Sequence, residues 1–326
     1  MQKLKVASNE AGQRLDKLLS KYLSQAGKGF LYKMMRKKNI TLTGKKAAGN
    51  EKLEKGDTVK LFLSEETIEG FREKKKRAVH TGAKLDILYE DEQVMLINKP
   101  AGMLSQKAEK GDISMVEHLI SHLLDTGEVT EEMLKTFRPS LCNRLDRNTS
   151  GIVAAGKTLQ GLQMLSGLFK ERTLHKYYLC IVKGVIKEEQ DVRGWLLKNE
   201  KTNQVQIFSE QRRDALPICT EYVPLKQLTI QGKPYTYLEI NLLTGRSHQI
   251  RAHLASIGHP LVGDPKYGNP KVNQEFKKKF GLEYQLLHAY RLELPRIEGV
   301  LAPLSGKNFI APLPDSFQRI RKSHTK

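Results

Sequence analysis

The segment NRLDRNTSGIVAAGKT, residues 143–158, contains two groups of residues whose types and spacing could do chemistry. Its second half, from Gly151 to Thr158, matches the G-x-x-x-x-G-K-[ST] pattern of a phosphate-binding loop. Its first half places Asp146 between two arginines in a polar, turn-forming stretch. A carboxylate in such a turn either caps the local backbone or acts in catalysis. The segment therefore predicts either a nucleotide hydrolase or a site built around Asp146.

A phosphate-binding loop needs a buried strand before its first glycine, a flexible glycine loop, and a helix that begins at the Lys-[ST] pair. The residues before Gly151 are polar, and the IVAA between the two glycines is apolar and partly β-branched, which favours a short buried strand. We therefore predict that Lys157 ends a strand and that Thr158 caps the next helix. The P-loop nucleotide hydrolase is the less favoured alternative.

The chain of 326 residues has a formal net charge of +19, from 55 Lys and Arg residues against 36 Asp and Glu residues. An excess of this size predicts a polyanionic partner, with nucleic acid the leading candidate. No apolar run approaches the ~18 residues of a membrane span, and no signal peptide opens the chain. Three widely spaced cysteines are typical of a reducing cytoplasm. We expect a cytoplasmic monomer that binds nucleic acid and no membrane.

The basic residues are concentrated at the start of the chain. Residues 1–80 contain 20 Lys and Arg residues against 9 Asp and Glu residues, which accounts for +11 of the net charge. The run REKKKRAVHTG then reads as a solvated connector. We predict a small basic domain over residues 1–70, a basic linker over 71–84, and a larger domain over 85–326.

Two apolar stripes at helical spacing, in RLDKLLSKYL and in FLYKMMRKKNI, predict two short helices in the first domain. A short strand, a glycine turn, a Lys-Gly-Asp turn and an alternating strand follow. This order resembles the S4 domain, a small RNA-binding module, over roughly residues 12–63, with Thr43 where an asparagine is usual. Cationic side chains beside the second stripe, together with Lys45 after the glycine turn, should meet backbone phosphates. We call them the basic edge: Lys33, Arg36, Lys37, Lys38 and Lys45.

In the larger domain, strands and helices alternate without a regular βαβ order or an internal repeat, which favours an α+β fold. Read with its neighbours, NRLDRNTSGIV resembles the R-L-D-x-x-T-S-G signature of pseudouridine synthases of the RluA family, which modify large-subunit ribosomal RNA. Other segments that resemble this family lie in order along the chain: INKPAGM, HKYYLCIVKG, LLTGRSHQIRAHLASIGHPLVGDPKYG and LLHAYRLELP. Together they cover roughly residues 85–317.

The resemblance implies a pseudouridine synthase fold, with a mixed, mainly antiparallel sheet flanked by helices and loops. It also implies an isomerase that converts uridine to pseudouridine in RNA, most often ribosomal, without a cofactor or a metal. Such an enzyme breaks the C1′–N1 bond, turns the base and joins C1′ to C5. Breaking a glycosidic bond favours one ionised carboxylate beside the sugar. The resemblance assigns this role to Asp146, as a nucleophile at C1′ or as a base at the 2′ position.

The same resemblance implies that Arg251 is the basic partner of the carboxylate, a role that suits the geometry of a guanidinium. It implies that Tyr178 stacks under the uracil, while the adjacent Tyr177 should point to the other face of its strand. A uridine in folded RNA must be extruded to be reached. Arg144 matches a family residue thought to fill the vacated stack, and we expect Arg246 to touch phosphate.

Two features leave alternatives open. The family usually has histidine before the arginine of its signature, where this chain has Asn143, so the details of flipping or substrate choice could differ. A non-catalytic RNA-binding or ribosome assembly factor on the same fold is the second alternative. The presence of Asp146, Tyr178 and Arg251 argues against it, because a protein that has lost catalytic activity should lack at least one of them. We interpret three histidines as structural or RNA-contacting, since their spacing forms no tidy metal triad: His248, His253 and His259.

Overall fold

The computed structural model describes residues 1–72 and 80–323. Half of the predicted linker, residues 71–84, falls on residues 73–79 and lies outside the described residues. The described residues form two separate β-sheets, one on each side of this gap. Within the same ranges, none of the helices has the length and apolar character needed to cross a bilayer.

The N-terminal module, residues 1–72, packs helices against a four-stranded antiparallel sheet with the order β1-β4-β2-β3. Its strands are β1 (Gln2–Lys5), β2 (Ile40–Leu42), β3 (Lys45–Lys46) and β4 (Thr58–Leu61), and its helices are α1 (Leu15–Tyr22), α2 (Lys28–Arg36) and α3 (Glu65–Gly70). The apolar stripes predicted for α1 and α2 are buried in one core. All five side chains of the basic edge are exposed, as a surface that contacts phosphates requires.

The turn that presents Lys45 has an unusual residue for its geometry. Thr43 and Gly44 both have positive φ, 45° and 77°, and join β2 to β3 in a two-residue hairpin. Such hairpins favour Asn-Gly because a β-branched residue is strained at positive φ. The Thr43 hydroxyl donates a hydrogen bond of 3.0 Å to Asp57, which helps to hold the residue in this conformation.

The second sheet has eleven strands, in the order β11-β10-β12-β13-β9-β14-β8-β6-β5, with β15 paired to β14 and β7 to β8. Among the described strands it is antiparallel except for the pair β8 and β14. The strands are β5 (Ile87–Glu90), β6 (Val94–Lys99), β7 (Ser140–Leu141), β8 (Ser150–Gly156), β9 (His175–Lys183), β10 (Gln190–Asn199), β11 (Gln204–Phe208), β12 (Leu216–Ile230), β13 (Lys233–Asn241), β14 (Leu287–Glu293) and β15 (Asn308–Ile310).

Helices cover this sheet and complete its apolar cores. They are α4 (Met115–Asp125), α5 (Leu159–Glu171), α6 (Gln249–Ser256), α7 (Pro270–Phe280) and α8 (Asp315–Lys322), with two short 3₁₀ helices at Met133–Lys135 and Gly299–Leu304. One core lies under α4 and α6, and others lie under α5 and under α7 with α8. The fold is therefore α+β with a mainly antiparallel sheet, as the sequence predicts.

The glycine stretch of the opening segment is a strand. Every residue of β8 is buried, Lys157 follows directly, and the Thr158 hydroxyl accepts from the Gly161 N–H as the N-cap of α5. Gly151 has φ 113°, and a Cβ there would lie 2.1 Å from the Ala289 carbonyl oxygen of β14. This glycine therefore permits close strand packing, and the segment has none of the open backbone of a phosphate-binding loop.

Residues 190–215, for which the sequence predicts no definite structure, form two strands and lead into a third. In β10 the exposed and buried side chains alternate imperfectly, and β11 is an edge strand with a mostly polar surface. A strand that is half-exposed at a sheet edge has too few apolar positions to produce a clear period of two. β10 pairs with β12 in a long-range contact, and β11 pairs with β10.

The N-terminal module contacts the second part of the chain beside the start of α5. The Leu159 N–H donates to the Asn9 carbonyl at 3.0 Å, and the Thr136 hydroxyl bonds to the Glu10 carboxylate. Helix α5 has 13 residues and is therefore ~20 Å long. The residues at its far end, Lys170 and Arg172, line the cavity described next.

Candidate active site

The loop between β7 and β8 carries Asp146, and main-chain hydrogen bonds fix its course. The Ser105 hydroxyl donates to the Leu145 carbonyl at 2.8 Å and accepts from the Leu145 N–H at 3.0 Å. On the other side of Asp146, the Arg147 carbonyl accepts from the Gly102 N–H at 2.9 Å. The residues on both sides of the carboxylate are thus tied to the segment that follows β6, which contains the Lys-Pro-Ala-Gly of INKPAGM and continues to Ser105.

Lys99, the last residue of β6, links these two segments through hydrogen bonds of its side chain. Its side chain is fully buried, and its ammonium donates to the carbonyls of Pro100, Met103 and Arg147 at 2.9, 2.8 and 3.1 Å. Burial lowers the pKa of this lysine to about 7, and the nearby charge of Asp146 acts in the opposite direction. Its three carbonyl partners use all three donors of the ammonium, so Lys99 holds the loop rather than facing the cavity.

Arg251, on the first turn of α6, connects Asp146 to a second carboxylate. Its Nη1 donates to Asp146 Oδ2 at 2.8 Å, and its Nε and Nη2 donate to the two oxygens of Asp264 at 2.7 and 2.9 Å. The Arg251 side chain is 6% exposed and that of Asp264 is fully buried, whereas Asp146 remains 23% exposed. The bidentate pair with Asp264 therefore orients the guanidinium, and the third bond reaches the one carboxylate that is open to a substrate.

The pKa shifts of Arg251 and Asp264 agree with the hydrogen bonds between them. Burial by itself lowers the pKa of Arg251, but the hydrogen bonds and charge of Asp264, followed by those of Asp146, raise it overall. Burial also raises the pKa of Asp264, and the bonds from Arg251 and from the Lys266 and Tyr267 N–H groups more than offset this. Both partners of the buried pair therefore stay ionised at neutral pH.

His248 precedes α6 in a left-handed conformation with φ 54°. Its Nδ1 lies 2.9 Å from the Tyr267 hydroxyl, which accepts from the Val205 N–H at 3.0 Å and so has its proton available for Nδ1. This arrangement leaves the other ring nitrogen, Nε2, 4.0 Å from the Asp146 carboxylate. Burial is the main cause that lowers the pKa of His248, so the ring is neutral at pH 7.

Tyr178 lies on β9 and is 7% exposed, with burial and the charge of Asp146 both raising the pKa of its hydroxyl. The neighbouring Tyr177 points to the opposite face, where the Arg291 guanidinium lies 3.8 Å from its ring centre. The alternation of a strand therefore separates the two tyrosines, as predicted, and leaves only Tyr178 of this pair among the residues that line the cavity.

A cavity of about 450 Å³ opens beside these groups. The predicted catalytic residues Asp146, Tyr178 and Arg251 all line it, and so do the predicted RNA-binding residues Arg144 and Arg246. The chain thus brings together residues that are separated by more than 100 positions. The five residues of the basic edge do not line the cavity and lie on the N-terminal module.

Asn143 also lines the cavity, but its side-chain amide forms hydrogen bonds with the backbone of β8. Its Oδ1 accepts from the Ala154 N–H at 2.8 Å, and its Nδ2 donates to the Ile152 carbonyl at 3.3 Å. The amide therefore fastens the Asp146 loop to the neighbouring strand. Lys157 lies apart from the cavity, where it pairs with Glu90 and Glu128 and is 7% exposed. An ammonium with two carboxylate partners is not a free phosphate ligand.

Three residues that support the site were not assigned a role from the sequence: Lys99, Asp264 and Lys176. The first two belong to the segments INKPAGM and VGDPKYG, whose turn-forming residues drew attention to backbone shape rather than to the charged side chains. A lysine at the end of an otherwise apolar strand, and an aspartate 13 residues after Arg251, are the signals that could have identified them. Lys176 and Tyr178 are two residues apart on β9, so they share one face of the strand.

The architecture is that of the pseudouridine synthases. A solved structure of human RNA pseudouridylate synthase domain containing 4 is similar to this chain with a TM-score of 0.55 and 24% identity, over 72% of this chain and 92% of that one. Residues 93–256 also match the family model described as RNA pseudouridylate synthase. The chain belongs to this family, whose enzymes isomerise uridine in RNA.

Two curated relatives differ in the RNA that their names specify. The ribosomal large subunit pseudouridine synthase C of Vibrio cholerae is 30% identical over 90% of this chain and 88% of its own length. The tRNA pseudouridine synthase C of Vibrio parahaemolyticus is 31% identical over 72% of this chain and 93% of its own length. The match with the tRNA enzyme leaves more than a quarter of this chain uncovered.

Proposed function

We propose that this protein converts specific uridines of large-subunit ribosomal RNA to pseudouridine. In this proposal Asp146 acts at the ribose, Arg251 holds the carboxylate, and Tyr178 lies under the uracil. One observation carries the assignment: a partly exposed carboxylate lies 2.8 Å from a buried, doubly paired arginine, in the same cavity as a strand tyrosine.

The reaction conserves the atoms of the nucleotide apart from exchange of one proton. The C1′–N1 bond breaks, the uracil turns, C1′ bonds to C5, and the hydrogen of C5 leaves to solvent while N1 gains a proton. Asp146 either adds to C1′, so that the carboxylate is displaced when C5 attacks, or removes the 2′ proton and later returns it. Both routes need a carboxylate at the sugar, and the aromatic ring of Tyr178 offers a surface on which the freed base can turn.

The position of Arg251 supports a role in orientation. Its two bonds to Asp264 join residues of this chain alone, so the fold itself sets the direction from which the guanidinium reaches Asp146. Preorganised charges of this kind need no rearrangement during the reaction. Arg144 and Arg246 line the cavity. Extrusion of the uridine would bring backbone phosphates close to this cavity and would leave a gap in the base stack that an arginine can fill.

The choice of ribosomal RNA over transfer RNA rests on the N-terminal module. Its exposed basic edge supplies a second contact for a large RNA, and the ribosomal relative matches most of the chain, including a share that the tRNA relative leaves uncovered. We also propose that the protein works in the cytoplasm as a monomer without a metal. Sedimentation of the purified protein tests the monomer.

Release of tritium from RNA labelled at C5 of uridine tests the chemistry directly. We expect Asp146→Asn to abolish release while RNA binding persists, because the amide keeps the size of the side chain but cannot act as nucleophile or base. Asp86→Asn is the matched control, since Asp86 is an exposed carboxylate outside the cavity. Measurable release by Asp146→Asn would refute the catalytic assignment.

Mapping of pseudouridines in total RNA, from cells with and without the protein, tests the substrate. Loss of pseudouridine from large-subunit ribosomal RNA is the expected result. Loss confined to transfer RNA would overturn the substrate while leaving the chemistry intact. RNA binding with no loss at any position would favour the non-catalytic assembly factor.

A further inference from the structure

The cavity has a concentration of positive charge beyond the arginine that pairs with Asp146. Asp146 is the one acidic residue among its described lining residues, and Arg251 already pairs with it. Five further cations line the same cavity: Arg144, Lys170, Arg172, Lys176 and Arg246. In the described parts of the chain, none of these five side chains has a carboxylate within ion-pairing distance.

Three of these cations, Arg172, Lys176 and Arg246, lie where three segments of the chain meet. Lys176 is half-buried on β9, and its Nζ is 3.7 Å from the position that a Cβ on Gly245 would occupy. Gly245 directly precedes Arg246 in the loop before α6. Arg172 ends α5 in a left-handed conformation with φ 59°. It lies close enough to Lys176 for its charge to lower the pKa of that lysine, after the larger effect of burial.

This arrangement is unfavourable without an anion. Lys176 loses hydration by burial, and a second cation repels it. The Nε of Arg246 is buried and has no hydrogen-bond partner among the described residues. A buried donor without an acceptor costs about 1–3 kcal/mol. A single anion between these side chains would relieve the repulsion, and Arg246 lines the same cavity.

We propose that Lys176, Arg172 and Arg246 form a binding subsite for the phosphodiester next to the extruded uridine. The proposal rests on the proposed function. Lys176 and Tyr178 face the same side of β9 one two-residue step apart, a distance of roughly 7 Å. A phosphate at Lys176 and a uracil on Tyr178 then belong to one nucleotide or to adjacent ones. The subsite fixes the sugar between them, beside Asp146.

Binding of a target-site RNA, measured by fluorescence anisotropy over a range of salt concentrations, tests this subsite separately from turnover. We expect Lys176→Gln to weaken binding about tenfold and to lower the slope of log K against log salt by roughly 0.7, the value for one phosphate contact on a single strand. Arg172 is exposed, so Arg172→Gln tests the same subsite without disturbing packing. Lys183→Gln is the control, because Lys183 is an exposed lysine of the same strand outside the cavity.

RNAs that carry a single uncharged methylphosphonate on either side of the target uridine identify the phosphate. We expect one of these RNAs to bind wild-type protein about tenfold more weakly and to lose nothing further with Lys176→Gln, because the two changes remove one interaction. The subsite would be refuted if each methylphosphonate weakened binding by Lys176→Gln as much as it weakens binding by the wild-type protein, and if the salt slope of this variant were unchanged. Absence of tritium release by the wild-type protein would instead refute the proposed function.

Discussion

Replacement of Asp264 by asparagine should separate the position of Arg251 from its charge. Asp264 Oδ1 accepts from Arg251 Nη2, from the Lys266 N–H and from the Tyr267 N–H, and Oδ2 accepts from Arg251 Nε at 2.7 Å. The amide oxygen of asparagine can keep the Oδ1 bonds only if its NH₂ group takes the place of Oδ2. Two donors then face each other in a fully buried position.

The expected cost follows from these bonds. One charge-assisted hydrogen bond is lost, worth about 1.5–3 kcal/mol. Loss of one partner of a buried ion pair costs about 3–5 kcal/mol in all, and the remaining bond to Asp146 places this case at the lower end. We expect the free energy of unfolding to fall by about 3 kcal/mol. The guanidinium should also shift, and a displacement of about 1 Å lowers turnover roughly 100-fold.

Urea unfolding and single-turnover tritium release measure the two effects, with Asp86→Asn expected to change stability by less than about 0.5 kcal/mol. The pH dependence of the free energy of unfolding adds a second readout. The pKa of Asp264 is lowered on folding, so its contribution to stability is present above pH ~4 and is lost as the pH falls through the lowered value. Asp264→Asn should lack this pH-dependent contribution. Wild-type stability together with wild-type turnover in Asp264→Asn would refute the orienting role of this residue.

Three further predictions concern other parts of the chain. Tyr178→Ala should lower kcat/KM by roughly 5- to 150-fold, the equivalent of ~1–3 kcal/mol of base stacking, whereas Tyr178→Phe keeps the ring and should stay within about threefold of wild type. Combined replacement of four residues of the basic edge by glutamine should weaken binding of long RNA and reduce its salt slope by up to about 3, without affecting turnover of a short substrate: Lys33, Arg36, Lys37 and Lys38. Burial lowers the pKa of His288 from 6.5 to about 4, so the free energy of unfolding should fall by about 3 kcal/mol as pH drops from 6.5 to 4. Urea titrations at several pH values check this, and an equally steep fall in His288→Gln would contradict it.

The sequence supported accurate predictions where helical spacing or a change from polar to apolar residues leaves a local pattern. The apolar stripes of α1 and α2 follow a period of 3.6 residues, and both stripes are buried. The polar stretch before Gly151 and the apolar stretch after it indicated a loop followed by a strand, which is how β8 begins. Asp146, Tyr178 and Arg251 could be singled out together because each lies in a segment that resembles one family.

Other features depend on contacts between distant residues and could not be predicted in this way. Asp264 is a partner of Arg251 only because the loop after α6 folds back over that helix. The phosphate subsite joins the end of α5, the start of β9 and the loop before α6, three segments that have no common sequence pattern. The strand β10 is ordered by pairing with β11 on one side and with β12 on the other, and neither pairing leaves a clear pattern in the sequence.

The way in which Lys99 holds the Asp146 loop has a consequence for how this fold can diversify. Its three bonds go to main-chain oxygens, which every amino acid possesses. The side chains at positions 100, 103 and 147 can therefore change without releasing the loop. Relatives could acquire new RNA preferences by exchanging those side chains, while the Asp146 carboxylate stays where it is.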